Sequence, residues 1–346
     1  MPACKRKGER TVFFERKPHI VSAASIVGDM EGAGPLGALF DKILQDDTWG
    51  ESSWEKAESK MFEAAARMAL DKTGLSTGGL HCLLGGDLLN QLITANYAAR
   101  ELSVPFFGLY SACATLTEAL LLAGMLIEGG FLGNAACVAS SHFSAAERQF
   151  RYPLEMGVTA PPTAQRTVTG AGALVLRGDA PSPCDPFQSV CVAGGTIGRV
   201  VDMGITDMSN MGAAMAPAAA DTLRAHLRDS GKSLMDYDAV ITGDLGKFGT
   251  KMLIELCDSE GLHIEEKHMD CGNLIFAPGQ GADCGGSGCG CAPVVLGAHL
   301  LQMLEDGIWN RILFLATGAL MSPVSNLQGE SIPGIAHAVI LERVRA

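Results

Sequence analysis

The property that most constrains this chain is an internal duplication. Leu70, Gly74, Ser76, Gly86, Asp87 and Leu88 recur without a gap as Leu227, Gly231, Ser233, Gly243, Asp244 and Leu245, each 157 residues later. Glu128, Gly130 and Ala139 then recur as Glu305, Gly307 and Ala316 at an offset of 177, so the second copy carries twenty additional residues between the two blocks. Each copy reads as a helix, a buried strand ending in Gly-Asp-Leu, a second strand, a small-residue turn, a long apolar helix and a further strand. Alternating strand and helix patterns predict an α/β protein. Two related halves would pack face to face, with a site at their junction. The boundary is expected in the stretch Ala180 to Pro186, which divides the chain into residues 1–180 and 181–346.

Two helices are delimited by their end signals. Ser52 and Glu55 read as a capping box, with Trp54, Ala57, Met61, Ala65 and Met68 on one face and Gly74 beyond the end. A second helix is expected to open at Pro217, carry Leu223 and Leu227, and stop at Gly231. With 47% hydrophobic and 18% charged residues in 346, the chain can bury a large core. Its net charge of −12, without a basic stripe, argues against nucleic acid as the main partner. The apolar run Ala119 to Ile127 is far short of a membrane span, and Lys5, Arg6, Lys7 and Arg10 lead into no signal peptide. Eleven cysteines without a regular framework fit a reducing compartment, so a soluble intracellular protein is expected.

Cys113 is the residue through which chemistry enters. Ser111-Ala112-Cys113-Ala114-Thr115 turns a predicted strand, Pro105 to Tyr110, into an apolar helix over Thr115 to Glu128. A thiol at a helix N-terminus faces the helix dipole and free N–H groups, which predicts a lowered pKa and a nucleophile. The same position also suits a small buried hydrophobe. The second copy's turn is Gly285-Gly286-Ser287-Gly288-Cys289-Gly290-Cys291.

A duplication with a cysteine at the first turn resembles the thiolase superfamily, including the condensing enzymes of fatty-acid synthesis. Thr169 to Leu176 and Ala336 to Leu341 resemble the last strand of each half in that superfamily. Longer runs resemble the stage V sporulation protein AD family of spore-forming Firmicutes. These are Gly34 to Gly37, Gly86 to Gln91, Ser140 to His142 with Ala146 to Pro153, Arg199 to Asp207, Ala214 to Thr222, and Glu330 to His337. The first resemblance implies a thiolase-like fold, two duplicated α/β halves in a layered αβαβα arrangement. The second implies a dipicolinic acid-binding protein acting with membrane proteins of the same operon. It further implies a homodimer and a soluble protein of sporulating cells at the spore inner membrane. Cofactors are expected to be none, with calcium as a possible companion of dipicolinate.

For acyl transfer, the resemblance assigns Cys113 as nucleophile and His268 as the histidine heading the second-half loop. The asparagine of decarboxylating members falls on Gly286, and losing that donor costs on the order of 3 kcal/mol of transition-state stabilisation. Asn273 is the candidate substitute. The non-decarboxylating pattern, Cys-x-Gly-Gly-Gly, is missing from Ala316 to Met321. A pocket that binds without turnover is therefore the primary expectation, and a condensing enzyme using Cys113 and His268 the alternative. A rigid dianion needs guanidinium forks, for which Arg148, Arg151 and Arg199 are candidates beside His142. Asp87 and Asn90 follow a buried strand and reach toward the junction, Asp87 either toward calcium or as a cap. His268, Cys271, Cys284, Cys289 and Cys291 lack zinc-ligand spacing, no dinucleotide or P-loop fingerprint is complete, and no metal site is expected.

Overall fold

Consecutive residues of a strand face opposite sides of its sheet, and both sides are apolar along most strands here. In the computed structural model, which describes residues 5–151, 156–157 and 160–344, ten strands form the main path of one sheet. They are β1 (His19–Val27), β2 (Leu83–Gly86), β3 (Phe106–Gly108), β4 (Asn134–Ser141) and β5 (Gly170–Arg177), then β6 (Val190–Thr196), β7 (Ala239–Thr242), β8 (His268–Asp270), β9 (Arg311–Ala319) and β10 (Gly334–Arg343). Their order is β8-β7-β9-β10-β6-β1-β5-β4-β2-β3, a palindrome in which each half repeats the other. In both halves the outer three strands are parallel and the inner two pair antiparallel. Leu83 pairs with Ala136 as Val240 pairs with Leu313, which are the offsets of 157 and 177 read from the sequence. The halves meet where β6 touches β1 at Cys191 and His19.

Helices repeat in the same way. α1 (Trp54–Asp71), α2 (Ile93–Leu102) and α3 (Thr115–Glu128) match α5 (Met211–Ser230), α6 (Gly246–Asp258) and α7, the last built from Cys291–Val295, a π-turn Leu296–Leu300 and Leu301–Glu305. Between them, α4 (Phe143–Phe150) follows β4. Met61, Phe62, Ala65 and Leu70 of α1 pack on Val21, Leu83, Val138 and Ala173 of the first sheet half. Met215, Ala219 and Leu223 of α5 pack on Val240, Leu313 and Ile340 of the second. The opposite strand faces, with Leu84, Cys137 and Leu174 on one side and Ile241, Phe314 and Val339 on the other, enclose α3 and α7 in a central cluster. Five layers, αβαβα, result.

Three local readings change. The cap of α1 is Ser53, whose side chain accepts from Lys56 N–H at 3.3 Å; Ser52 instead accepts from the Lys56 ammonium. The second helix opens at Met211, capped by Asn210, and Pro217 lies inside it. An interior proline costs a hydrogen bond. Here Gly212 through Leu223 are buried on all sides, and this packing holds the helix through the proline. The strand before Cys113 shortens to Phe106–Gly108, at the edge of the sheet. Of the run that carried the family resemblance, Tyr152 and Pro153 lie outside the described residues.

Candidate functional site

Cys113 sits in a 3-10 turn, Ala112–Ala114, immediately before α3. Ala112 adopts φ +48, a strained conformation for a residue with a Cβ. β9 crosses close behind: a Cβ on Gly318 would lie 2.5 Å from the Ser111 carbonyl oxygen, so only glycine fits there. The second copy's turn closes in from the other half, with Cys289 Sγ donating to Ala112 O at 2.8 Å. Between the turns opens a cavity of about 300 Å3, at the lower end of small-molecule sites, which run roughly 300–1,000 Å3. Leu88, Ala146, Phe150, Met211 and Leu320 give it apolar walls, with the Tyr110 ring at one side. Asn90, Thr167, Ser287 and Ser322 are its polar uncharged groups, and Glu147 and Arg151 its charged pair among the described residues.

The thiol's partner is a carboxylate. Asp244, at the end of β7, is fully buried and receives Thr317 Oγ1 and Ser287 Oγ at 2.8 Å each and Gly288 N–H at 3.0 Å. Gly288 reaches it at φ +102, in the region that favours glycine. Burial raises the Asp244 pKa to about 7 against these donors. The Cys113 thiol, 5% exposed, is close enough to Asp244 for each to act on the other's ionisation. Burial first, then the Asp244 charge and Cys289, push its pKa well above that of an ordinary thiol. The lowered pKa expected from the helix dipole is therefore reversed. A few partial charges at a helix end do not offset full desolvation beside an anion.

The other sequence candidates divide sharply. Asn90 and Arg151 line the cavity with Cys113. Arg151 pairs with Glu147 one turn earlier and donates to Gln165 O at 3.2 Å. Arg148, three residues before, points away, pairing with Glu55 and lying 5.1 Å over the Trp54 ring. Arg199 is exposed and paired with Asp221 at 2.7 Å. His142 is buried with Nε2 2.6 Å from Asp47 O, and its pKa is lowered by burial. His268 lies on edge strand β8, 2.9 Å from Thr242 Oγ1, and burial lowers its pKa to about 4; it does not line the cavity. Asn273 donates to Thr250 Oγ1 at 3.1 Å, away from the thiol. Gly286 is buried behind the wall, accepting from Gln165 Nε2 at 3.0 Å, and its neighbour Ser287 faces the site instead. Asp87 caps Leu89 and Ala95 N–H at 2.7 and 2.8 Å.

Sequence reading thus missed Asp244, Ser287, Thr317 and Glu147. Asp244 was visible as the repeat mate of Asp87. The cysteines of the second turn are dispersed, Cys289 toward Ala112 and Cys291 toward Gly243, and no cluster of three metal-binding side chains occurs among the described residues. No helix among them is long and apolar enough to cross a membrane.

The family model described as Stage V sporulation protein AD matches residues 8–342. Stage V sporulation protein AD of Bacillus subtilis (strain 168) is 44% identical over 339 residues, covering 98% of both chains. Among solved structures, 3-oxoacyl-[acyl-carrier-protein] synthase III from Aquifex aeolicus VF5 superposes with a TM-score of 0.57 at 16% identity, over 94% of this chain and 99% of that one. Cerulenin-bound OleA from Xanthomonas campestris gives 0.60 at 18%, over 95% and 97%. At these identities the structures establish a thiolase-like fold and leave the chemistry to the site itself.

Proposed function

The chain belongs to the stage V sporulation protein AD family, and on that premise we propose that its Cys113 cavity binds dipicolinate (pyridine-2,6-dicarboxylate) without turning over acyl thioesters. The observation that carries this reading is the Cys113–Asp244 pair. A condensing enzyme needs a thiolate, an imidazole and oxyanion donors. Here the thiol is held protonated against a buried carboxylate, and His268 bonds Thr242 outside the cavity. What remains is a pocket with flat apolar and aromatic walls, hydroxyl and amide groups, and one guanidinium, the composition that suits a rigid aromatic acid. Calcium enters this reading as the ligand's own companion. The chelate would bring most of its ligands with it, since no protein cluster of three is gathered among the described residues. Membrane proteins of the same operon, a homodimer and attachment at the spore inner membrane belong to the same proposal through the family.

Titration calorimetry of the purified chain with dipicolinate, with and without calcium, tests the reading. Saturable heat is expected. A folded sample giving none at millimolar ligand sinks it. Intact mass after incubation with acetyl- and malonyl-CoA tests the other side: a Cys113-dependent acyl adduct that turns over would replace binding by catalysis.

A further inference from the structure

A second guanidinium stands beside the cavity without an ion-pair partner among the described residues. Arg166 precedes the lining residue Thr167 in a short strand, Arg166–Thr167, paired with Gly286–Ser287. Its guanidinium lies 3.7 Å over the Phe143 ring, which covers one face. Its Nε is buried without an acceptor, and among the described residues it makes no ion pair. A buried donor on a charged group is unfavourable unless something can come to it. Arg151, by contrast, is engaged by Glu147 and by Gln165 O.

Phe143, Glu147 and Arg151 follow one another at four-residue intervals, so they run along one face of α4 and its end. Glu147 therefore lies between the guanidinium stacked on Phe143 and the guanidinium it already holds. The other carboxylates acting on Arg166 are Glu31 and Asp29. Glu31 is buried and accepts Thr169 N–H at 3.0 Å, and Asp29 accepts Met30 N–H at 2.8 Å. Glu147 alone of the three has its partner inside the cavity.

We propose that Glu147 is an exchangeable counter-ion of the binding site, pairing with Arg151 as seen here and passing to the fork of Arg166 when a ligand carboxylate takes Arg151. The inference rests on the cavity being an anion site. The exchange lets an acid enter without leaving Glu147 unpaired, and it gives a neutral ligand no route to Arg151. It makes Arg166 and Glu147 determinants of anion selectivity.

A double-mutant cycle read by calorimetry with pyridine-2,6-dicarboxylate tests this. E147Q is expected to bind within about two-fold of the native chain, since the ion pair given up at Arg151 is regained at Arg166. R166Q is expected to bind about five-fold more weakly in the native background, the value of one modest ion pair left unmade, and to change nothing further in E147Q. R166K, which keeps the charge and loses the fork, takes its place in the cycle if R166Q does not fold. A change of more than about two-fold in E147Q, or the same loss from the Arg166 change in both backgrounds, overturns the exchange while leaving the anion site standing. Absence of binding by the native chain overturns both.

Discussion

Asp244→Asn is the substitution that separates a disarmed thiol from an armed one. The buried carboxylate titrates at about 7 instead of 3.8, so folding holds its proton more tightly than the unfolded chain does. A raised pKa contributes stability below the unfolded value that is lost as pH rises through the folded one. Between pH 4 and 7 the loss is about 4 kcal/mol, at 1.36 kcal/mol per pH unit. The amide avoids that loss. It also gives up one acceptor oxygen, where Thr317 bonds Oδ1 and Ser287 and Gly288 bond Oδ2, at a cost of about 1–2 kcal/mol. The variant should therefore be about 2 kcal/mol more stable than the native chain at pH 8 and about 1–2 kcal/mol less stable near pH 4. The thiol should respond in parallel. Removing a charged acceptor worth about 1.5–3 kcal/mol raises the thiolate population by roughly one to two decades where Asp244 is ionised. Iodoacetamide alkylation of Cys113, followed by mass, should be at least ten-fold faster in the variant at pH 8 and converge with the native rate below pH 6. Burial alone would still hold the thiol above its ordinary pKa. An unchanged rate at pH 8, or a melting temperature that falls at pH 8 more than at pH 4, would refute the reasoning.

Arg151→Ala should weaken dipicolinate binding roughly ten-fold or more, the value of a charge-assisted hydrogen bond, whereas Arg148→Ala, whose side chain is tied to Glu55, should leave the affinity unchanged by calorimetry. His268→Gln should bind dipicolinate within about two-fold of the native chain, since its imidazole serves Thr242 on the sheet edge, and a loss beyond ten-fold would return it to the site. Asn210→Ala should cost about 1 kcal/mol in urea unfolding, the usual value of an N-cap; a neutral result would mean that the helix starts near Pro217 after all.

The duplication carried the fold because offset and pairing are the same information: residues equivalent in sequence occupy equivalent register positions in β2–β4 and β7–β9. The helix Thr115 to Glu128 was equally legible, since an apolar run after a small-residue turn leaves little choice. Where reading failed, neighbours competed for one role. Ser52 and Ser53 both suit a cap, and the hydrogen bond decides. Pro217 looks like a helix start until its surroundings are seen to be buried throughout. Arg148 and Arg151 have the same chemistry, and only the orientation of α4 on the sheet sends one to Glu55 and the other to the cavity. His268 carried a family resemblance, but an edge strand holds it away from the thiol.

Asp244 shows how a duplicated fold acquires a one-sided site. Its mate Asp87 spends both oxygens on backbone, capping Leu89 N–H and Ala95 N–H. By the 157-residue offset, the equivalent of Leu89 is Gly246, and Gly246 N–H is likewise capped, at 3.0 Å. The carboxylate that does so is Asp270, which also takes Leu245 N–H and Thr242 Oγ1 at 2.7 Å each. Asp270 ends β8 at the register position that Gly108 holds in β3, so the second half has a carboxylate where the first half has no side chain. That side chain supplies the cap and releases Asp244 from the duty its sequence position implies. The freed carboxylate turns to the junction, where Thr317, Ser287 and Cys113 are the donors within reach. The asymmetry follows for a physical reason: a buried N–H must find an acceptor, and once another group answers it, the original one is available for a different partner. Asp270→Ala should therefore do more than destabilise α6. With Gly246 N–H unanswered, Asp244 becomes its nearest acceptor by position in the repeat. Cys113 should then lose its carboxylate and alkylate faster at pH 8, as Asp244→Asn does, though at lower stability. Loss of stability with no change in Cys113 reactivity would show that the two carboxylates hold their places independently.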